Sequence, residues 1–251
     1  NGSMAAPMNR SVINGTPRIY INGRMVTGST ATDVLDYYIQ QALANPVMTA
    51  PVAKPVDDAT PRMVKAQKGS GAFWIDAFEA SVDAAGKAVS VPKVEPAKVS
   101  WFEAKAACEG IGKRLCTEAE WTLACEGPEL WPFPYGYVRD AKKCSIDKSS
   151  PHVNEAKLFS PKTQAAELVR LDQREPSGSR EGCVSPFGVA DLTGNVDEWV
   201  VNERGVPYAS ALKGGNWGEY RNACRPATLG HSEGFRYYQI GFRCCGAAAA
   251  A

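Results

Sequence analysis

Residues 114–127, RLCTEAEWTLACEG, carry the signals of a short helix with defined ends. Thr117 is a preferred N-cap residue, and Glu120 stands three positions later, which is the capping-box pattern. Gly127 is the residue type that most often follows the last helical turn. The segment therefore predicts a helix that begins after Thr117 and ends at Gly127, with one cysteine just before it and another in its last turn.

The preceding segment, VSWFEAKAACEGIG at residues 99–112, repeats this pattern. Ser100 as N-cap and Glu103 as the third helical residue again form a capping box, and Gly110 or Gly112 ends the helix. After the second helix the chain is irregular, with many Pro, Gly and polar residues. A domain with two short helices, short strands and long loops usually needs covalent cross-links.

Cysteine is distributed unevenly along the chain. All eight cysteines lie beyond residue 100, and no CxxC pair occurs, which argues against a zinc ribbon or a thioredoxin-type redox centre. An even number spread over one domain favours disulfides and an oxidising compartment. The alternative is a set of buried thiols in a cytosolic protein. The disulfide interpretation predicts an extracytoplasmic protein, which is periplasmic, secreted or on the outer surface.

The bulk composition argues against several classes of protein. The chain has 251 residues, of which 44% are hydrophobic, enough for an ordinary core. A formal charge of +1 gives no electrostatic reason to expect nucleic acid or an acidic membrane as a partner. No apolar run approaches the roughly 18 residues that span a bilayer, and no signal peptide is recognisable. The start, NGSM, reads as an added sequence or a cut inside a longer chain, and residues 247–251 read as an alanine tail.

Residues 1–45 form a first segment with its own pattern. Residues 17–26, PRIYINGRMV, predict two strands joined at Asn22-Gly23, and residues 32–43, TDVLDYYIQQAL, predict a helix from their apolar spacing. The stretch NGTPRIYINGRMVTG resembles the last third of thioredoxin-fold periplasmic thiol oxidoreductases, with Thr16-Pro17 as their Thr-Pro dipeptide. The CxxC half of that fold is not in this chain, so we expect a thioredoxin-fold domain of the same protein upstream. The alternative is an ordinary hairpin and helix that pack on the next domain.

The rest of the chain divides into a linker and a larger domain. Residues 46–70, rich in Pro, Ala and Lys, predict a semi-rigid linker. Residues 71–246 contain, in this order, FWIDAFEAS, PAKVSWFEAKAACEGIGKRLCTEAEWTLACEGP, FPYG, SPFGVADLTGNVDEWV, LKGGNWG, CRPAT and GFRCC. Together these stretches resemble the formylglycine-generating enzyme (sulfatase-modifying factor) family. The resemblance implies that family's irregular α+β variant of the C-type lectin fold.

The family's founding activity is the oxidation of a substrate cysteine to formylglycine with copper and molecular oxygen. The resemblance implies a copper ion between two cysteines in the loop after a Gly-Gly motif, since Cu(I) prefers thiolates. Here Gly214-Gly215 is followed by one cysteine, Cys224, which corresponds to a third, structural cysteine of the family. Both copper positions are then missing, so the resemblance supports the fold and argues against copper and the founding chemistry.

The resemblance also implies two disulfides. One joins the cysteine of the first helix to the cysteine of GFRC, and the other joins the second helix to the Gly-Gly loop. Two more pairs follow by elimination, one of them across the irregular insertion. The implied pairs are Cys108–Cys244 and Cys125–Cys224, and the pairs assigned by elimination are Cys144–Cys183 and Cys116–Cys245.

The turn DLTGNVDEW, residues 191–199, is a candidate metal site. In the family this turn holds a structural calcium ion, and the resemblance implies Asp191, Gly194, Val196 and Glu198 as its ligands. Calcium prefers six to eight hard oxygen ligands, which side chains and carbonyls of a turn can provide. The alternative is that the two carboxylates accept hydrogen bonds from turn amides without a metal.

Other polar and aromatic residues follow the Gly-Gly motif. His231 and Glu233 are candidates for an acid–base pair or half of a metal site, with Glu219 as a further candidate. The alternative is an exposed polar loop. The aromatic residues predict either a binding groove or part of the core. The expected groove residues are Trp217, Tyr220, Arg221, His231, Phe235 and Tyr237.

These observations favour a binding or structural module over an enzyme. The expected partner is a protein, a peptide or a glycan held in the groove of the family's fold. One alternative is an oxidoreductase of the same fold that uses a metal or a His/Glu site. Less favoured is the founding oxidase with Cys244 and Cys245 as its thiolates, because adjacent residues of a strand point to opposite faces.

Overall fold

The computed structural model describes most of the chain beyond residue 61. Of the first sixty residues it describes only the backbone of two short strands, β1 (Ile19–Ile21) and β2 (Arg24–Val26). The other described residues are 62–68, 71–149, 151–219 and 221–246.

Strands β1 and β2 pair antiparallel, with Ile21 opposite Arg24, as expected for a hairpin that turns at Asn22-Gly23. The helix predicted over residues 32–43 and the Thr16-Pro17 dipeptide lie outside the described residues. The thioredoxin-like interpretation of this segment therefore stays a prediction.

One four-stranded sheet joins the start of the domain to its end. Its order is β3-β4-β12-β7, and every neighbouring pair is antiparallel. Residues 63–68 were expected to belong to the linker, but they form the edge strand of this sheet. Each of these six residues pairs with a residue of β4, and this pairing makes the segment a strand. The strands are β3 (Met63–Lys68), β4 (Gly71–Asp76), β7 (Arg114–Leu115) and β12 (Cys244–Gly246).

A second four-stranded sheet has the order β10-β9-β8-β11. Its central strands β8 and β9 are antiparallel, whereas β11 runs parallel to β8. A small hairpin of β5 and β6 stands apart from both sheets. These strands are β5 (Ser81–Val82), β6 (Ala88–Val89), β8 (Asp197–Val201), β9 (Ser210–Lys213), β10 (Ala227–Thr228) and β11 (Ile240–Phe242).

The two predicted helices are confirmed, with both capping boxes formed. Helix α1 (Trp101–Glu109) follows Ser100 and ends at Gly110, and helix α2 (Glu118–Glu126) follows Thr117 and ends at Gly127. In each, the N-cap hydroxyl accepts a bond from the third backbone N–H, and the glutamate there accepts one in return. The irregular insertion holds two further helices that were not predicted, α3 (Glu155–Leu158) and α4 (Gln164–Leu171).

Buried tryptophans hold the helices against the second sheet. The indole N–H of Trp199 donates to the Val99 carbonyl at 2.9 Å, and that of Trp101 donates to the Val200 carbonyl at 3.0 Å. A buried indole satisfied in this way contributes its apolar area without leaving a polar group unpaired. Trp121, which is fully buried in α2, packs in a second cluster with Val200.

Four disulfides cross-link this core, and they use all eight cysteines of the chain. They are the same four pairs that the sequence analysis names. Because the adjacent cysteines of β12 bond to α1 and to the residue after β7, one strand is tied to two different segments. The pairs are Cys108–Cys244, Cys116–Cys245, Cys125–Cys224 and Cys144–Cys183.

Candidate functional site

The candidate site begins at the Gly-Gly turn that follows β9. Gly214 has a φ of +91°, and a side chain there would meet the Leu192 carbonyl oxygen at 2.9 Å. Gly215 also has a positive φ, and its N–H donates to Oδ1 of Asp197 at 3.0 Å. The turn therefore needs glycine at these positions. It follows the end of β9 along the chain and is hydrogen-bonded to Asp197, the first residue of β8.

A short loop follows this turn and is closed by its own amides. The side-chain amide of Asn222 donates to the carbonyl of Asn216 at 2.5 Å, and Asn216 Oδ1 accepts from the Gly218 N–H at 2.8 Å. Cys224 ends the loop in a disulfide with Cys125. The loop is thus held at both ends, and its cysteine carries no thiol.

Asp197 is the residue of this site that the sequence analysis missed. It is only 5% exposed, and burial raises its pKa to about 6, although Arg221 and the Gly215 N–H act in the opposite direction. Burial also lowers the pKa of His231, and the charge of Arg221 adds to that effect. The charge of Arg221 therefore acts on both Asp197 and His231. Two adjacent acidic residues, Asp197 and Glu198, at the start of a strand that continues as WVV were the available signal.

A row of aromatic rings leads from the core to this surface. Successive ring centres lie 4.0, 6.0, 4.4 and 5.9 Å apart along His231, Phe235, Tyr237, Tyr238 and Trp217. Trp217 is 0% exposed and belongs to the core, and Tyr238 is buried as well. The other three rings are half-buried and face the surface.

The expected groove is therefore smaller than predicted. His231, Phe235 and Tyr237 form a half-buried row, and Arg221 is exposed, whereas Trp217 packs in the core. Tyr220 lies outside the described residues. The half-buried rings are anchored by the buried end of the row, so their positions are set before any ligand arrives.

The three candidate catalytic residues are not brought together as an acid–base site. Glu233 accepts a bond from the Ala209 N–H at 2.6 Å, which gives its carboxylate a structural partner. His231 stacks on Phe235, and no hydrogen bond joins it to Glu233 among the described residues. Glu219 is exposed. This arrangement gives the proton-transfer interpretation no support.

Residues 37–248 match the family model of the sulfatase-modifying factor enzyme 1-like domain. The chain belongs to this family. The match covers the turn, the loop and the aromatic row described above, and it agrees with the resemblance seen in the sequence motifs.

Individual relatives are more distant. The chain is 29% identical over 169 residues to "Inactive C-alpha-formylglycine-generating enzyme 2" of Bos taurus, covering 60% of this chain and 49% of that protein. It is 32% identical over 102 residues to "Serine/threonine-protein kinase pkn1" of Chlamydia caviae, and the match covers 40% of this chain and 12% of that protein. The chain thus spans at most about half the length of these curated relatives.

A solved structure supports the fold. The crystal structure of CarF superposes with a TM-score of 0.55 at 15% identity, covering 76% of this chain and all of that one. The family domain therefore has the predicted mixed α+β, C-type-lectin-like fold. Four disulfides in a domain of this family also indicate an extracytoplasmic protein. Within the described part of the chain, no helix has the length and apolar character to span a bilayer.

The turn that was expected to hold calcium carries a buried ion pair. Both carboxylate oxygens of Glu198 accept bonds from Arg243 at 2.6 Å, and one of them also accepts the Trp121 indole N–H at 2.8 Å. Arg243 donates its remaining bonds to the carbonyls of Asp76 and Ala190. Both oxygens of Glu198 are therefore hydrogen-bonded, and its counter-ion is the Arg243 side chain.

Two further carboxylates lie near this pair. Asp191 accepts the Gly178 N–H at 2.5 Å, and burial raises its pKa to about 6. Glu79, which the sequence analysis did not single out, accepts a bond from Asn195 at 2.7 Å through one oxygen. Its other oxygen is buried without a hydrogen-bond partner, and burial raises the pKa of Glu79 well above its usual value.

The two carboxylates of the expected calcium site already have partners in this structure. Glu198 is committed to Arg243, and Asp191 to a backbone amide. No group of three carboxylate, histidine or cysteine side chains converges on one point within the described residues. The calcium site over Asp191, Gly194, Val196 and Glu198 stays a prediction.

A buried lysine lies on the other side of the Gly-Gly turn. Lys213 is nearly inaccessible, and its ammonium donates to the Arg225 carbonyl at 2.9 Å and lies 5.4 Å from the centre of the Trp121 ring. Burial lowers the pKa of Lys213 to about 8, although Glu118 and Glu126 act against this. The folded state therefore holds a poorly solvated charge.

Replacing Lys213 by methionine is expected to stabilise the domain by about 1–3 kcal/mol at pH 7. Its pKa is lower in the folded than in the unfolded state, so the cost of the charge is present below about pH 8. That cost disappears as the pH rises toward the unfolded pKa. Urea unfolding at pH 7 and pH 9 should show the variant's advantage shrinking at the higher pH.

The matched control is Lys65→Met, which changes an exposed lysine of β3. It should alter the free energy of unfolding little at either pH. A Lys213→Met variant that is less stable than the wild type at pH 7 would contradict the assignment.

Proposed function

We propose that this domain is an extracytoplasmic binding or structural module of its family and does not oxidise cysteine through thiolate-bound copper. The observation that carries the proposal is the pairing of all eight cysteines, including Cys224 of the Gly-Gly loop, which bonds to Cys125. Copper of the founding type requires two thiolates, and a cysteine in a disulfide offers none.

The site offers features of recognition in place of a nucleophile. Half-buried rings anchored in the core and an exposed guanidinium follow the Gly-Gly turn, and a buried carboxylate accepts a hydrogen bond from that turn. Rigid aromatic side chains with a few placed polar groups are typical of binding sites. A protein, a peptide or a glycan is the proposed ligand, in the periplasm, outside the cell or on its surface.

The printed name of one relative supports this proposal. The Bos taurus protein is described as an inactive formylglycine-generating enzyme, and it covers 60% of this chain. The oxidoreductase alternative lacks a comparable observation, since Glu233 is engaged by a backbone amide and does not bond to His231.

Alkylation of the unreduced protein in denaturant is expected to add no mass, because every thiol is oxidised. Disulfide mapping should then recover Cys125 paired with Cys224. In the same preparation, copper and a cysteine-containing peptide should give no oxygen consumption above that of free copper. Two alkylated cysteines per chain, together with copper-dependent oxidation of the peptide, would overturn the proposal.

A further inference from the structure

Helix α4 exposes apolar side chains and buries a carboxylate, which reverses the usual arrangement of a surface helix. Its Leu171 packs with Trp217 in the core, so one side of the helix is fixed. On that side Glu167 is only 2% exposed, whereas Val169 on the other side is 77% exposed. Phe159, the residue after α3, is also 77% exposed. These two helices therefore present apolar surface that a partner can cover.

Hydrogen bonds hold α3 and α4 together as one unit. The side-chain amide of Gln164, at the start of α4, donates to the carbonyl of Leu158 at the end of α3, over 3.0 Å. The N–H of Asn154, just before α3, donates to Glu167 of α4 at 2.9 Å. The exposed apolar residues are thus carried by one fixed element, inside the loop that the Cys144–Cys183 disulfide closes.

A cavity of about 530 Å³ is lined by both helices and by residues 152–154. A space of this size admits a small ligand or the side chain of a partner. The residues around it come from two helices that are already bonded to each other, so the cavity exists before anything binds. Its polar lining residues are His152, Asn154, Glu155, Lys157, Glu167 and Arg170.

Most acceptors of this cavity are used by bonds within the unit. One oxygen of Glu167 accepts the Asn154 N–H, and the other accepts from Nε of Arg170 at 2.9 Å. Asn154 Oδ1 accepts the Lys157 N–H at 3.1 Å. The His152 carbonyl accepts from Nη2 of Arg170 at 2.6 Å. These bonds also orient the guanidinium of Arg170, because the buried Glu167 holds it.

The donors of the cavity are left with capacity. Within the described residues no ion pair or hydrogen bond engages the Lys157 ammonium, and Arg170 bonds through Nε and Nη2 but not through Nη1. Glu155 is the one lining carboxylate that no donor contacts there, and the ammonium groups of Lys157 and the exposed Lys162 outnumber it. A ligand rich in acceptors, above all a carboxylate, satisfies these donors.

We propose that the α3–α4 unit is a docking surface for an acidic peptide segment of a partner protein, which places an aspartate or glutamate in the cavity and apolar side chains on Val169 and Phe159. Lys157 and Arg170 donate to the carboxylate. A free anion would fill the donors and leave the apolar side chains uncovered, whereas a peptide meets both. This surface consists of other residues than the aromatic row, so the proposal goes beyond the function proposed above.

The test measures binding of the full chain to fluorescent peptides of equal length that are acidic and apolar, basic and apolar, or neutral and apolar. We expect the acidic peptides to bind most tightly, with an affinity that falls as the salt concentration rises. Lys157→Gln should weaken this binding about tenfold, since a charge-assisted hydrogen bond is lost. Val169→Ser should weaken it about fivefold, since apolar area stays in water.

Two exposed residues outside the unit give matched controls. Lys142→Gln removes an exposed ammonium, and Val138→Ser changes a valine that is 78% exposed. Neither residue lines the cavity or belongs to α3 or α4. Both variants should bind the acidic peptides as the wild type does.

The remaining outcomes would overturn the docking proposal. Equal binding of acidic and basic peptides would do so, as would acidic binding that Lys157→Gln leaves unchanged in a variant with the wild-type unfolding temperature. Binding to phosphatidylglycerol vesicles without peptide binding would make the surface a membrane contact instead. Peptide binding that Phe235→Leu removes and Lys157→Gln does not would place the ligand on the aromatic row, so the function proposed above would stand while this proposal fails.

Discussion

Replacing Arg243 by methionine is expected to destabilise the domain by about 3–5 kcal/mol. Arg243 is fully buried and is the partner of both oxygens of Glu198, so the variant leaves that carboxylate without its counter-ion. It also removes the donors to the carbonyls of Asp76 and Ala190. The result should appear as a lower midpoint in urea at pH 7.

The neighbouring carboxylates increase this effect. Arg243 lowers the pKa of both Glu79 and Asp191, against the larger effect of burial. Without the guanidinium, these groups are more strongly driven to take up protons on folding. The variant should therefore be least stable at high pH, where the unfolded state keeps its carboxylates ionised and the folded state must bind protons.

Two controls separate charge from packing. Arg243→Lys keeps a positive charge but loses the two-pronged bond to Glu198, and it should lose less stability than Arg243→Met. The double variant Glu198→Met/Arg243→Met removes both charges and should recover part of the loss. A single Arg243→Met protein as stable as the wild type would contradict the buried pair.

Removing the Cys108–Cys244 disulfide by double alanine substitution is expected to cost about 2–5 kcal/mol. The bridge spans 136 residues and joins α1 to β12, so its loss frees a large loop of the unfolded chain. The cysteine pair is also buried in the cluster around Trp199, so two small apolar contacts are lost. Denaturant unfolding without reductant measures the difference.

The Cys144–Cys183 bridge provides a matched comparison. It spans 39 residues within the irregular part of the chain, and the entropic model assigns it about 1 kcal/mol less than the longer bridge. Its double alanine variant should remain folded with a smaller loss. A loss below about 1 kcal/mol for Cys108–Cys244 would mean that the neighbouring Cys116–Cys245 bridge holds the same segments unaided.

Features that depend on near neighbours in the chain were predictable. The caps of α1 and α2 are hydrogen bonds between residues three positions apart, so Ser100 with Glu103 and Thr117 with Glu120 specify them locally. The family, and with it the fold, was predicted from short motifs that occur in the family's order along this sequence. The sequence also shows directly that the loop after Gly214-Gly215 contains one cysteine, Cys224.

Features that depend on distant segments needed the folded chain. Strand β3 has a linker-like composition and becomes a strand only by pairing with β4. Trp217 was a candidate for the groove, and its place in the core follows from contact with Tyr238. Asp197 acquires its raised pKa from burial between β9 and β11, which no spacing in the sequence reports.

The sequence by itself determined the helix ends, the family and the single cysteine of the Gly-Gly loop, because those are properties of short stretches and of residue identity. Only the tertiary structure decided which charges are buried and what they meet. Glu198 and Arg243 are 45 residues apart, and they form a buried ion pair that no spacing in the sequence predicts. Burial is set by the whole core, so a carboxylate's partner and protonation emerge only when distant segments have packed together.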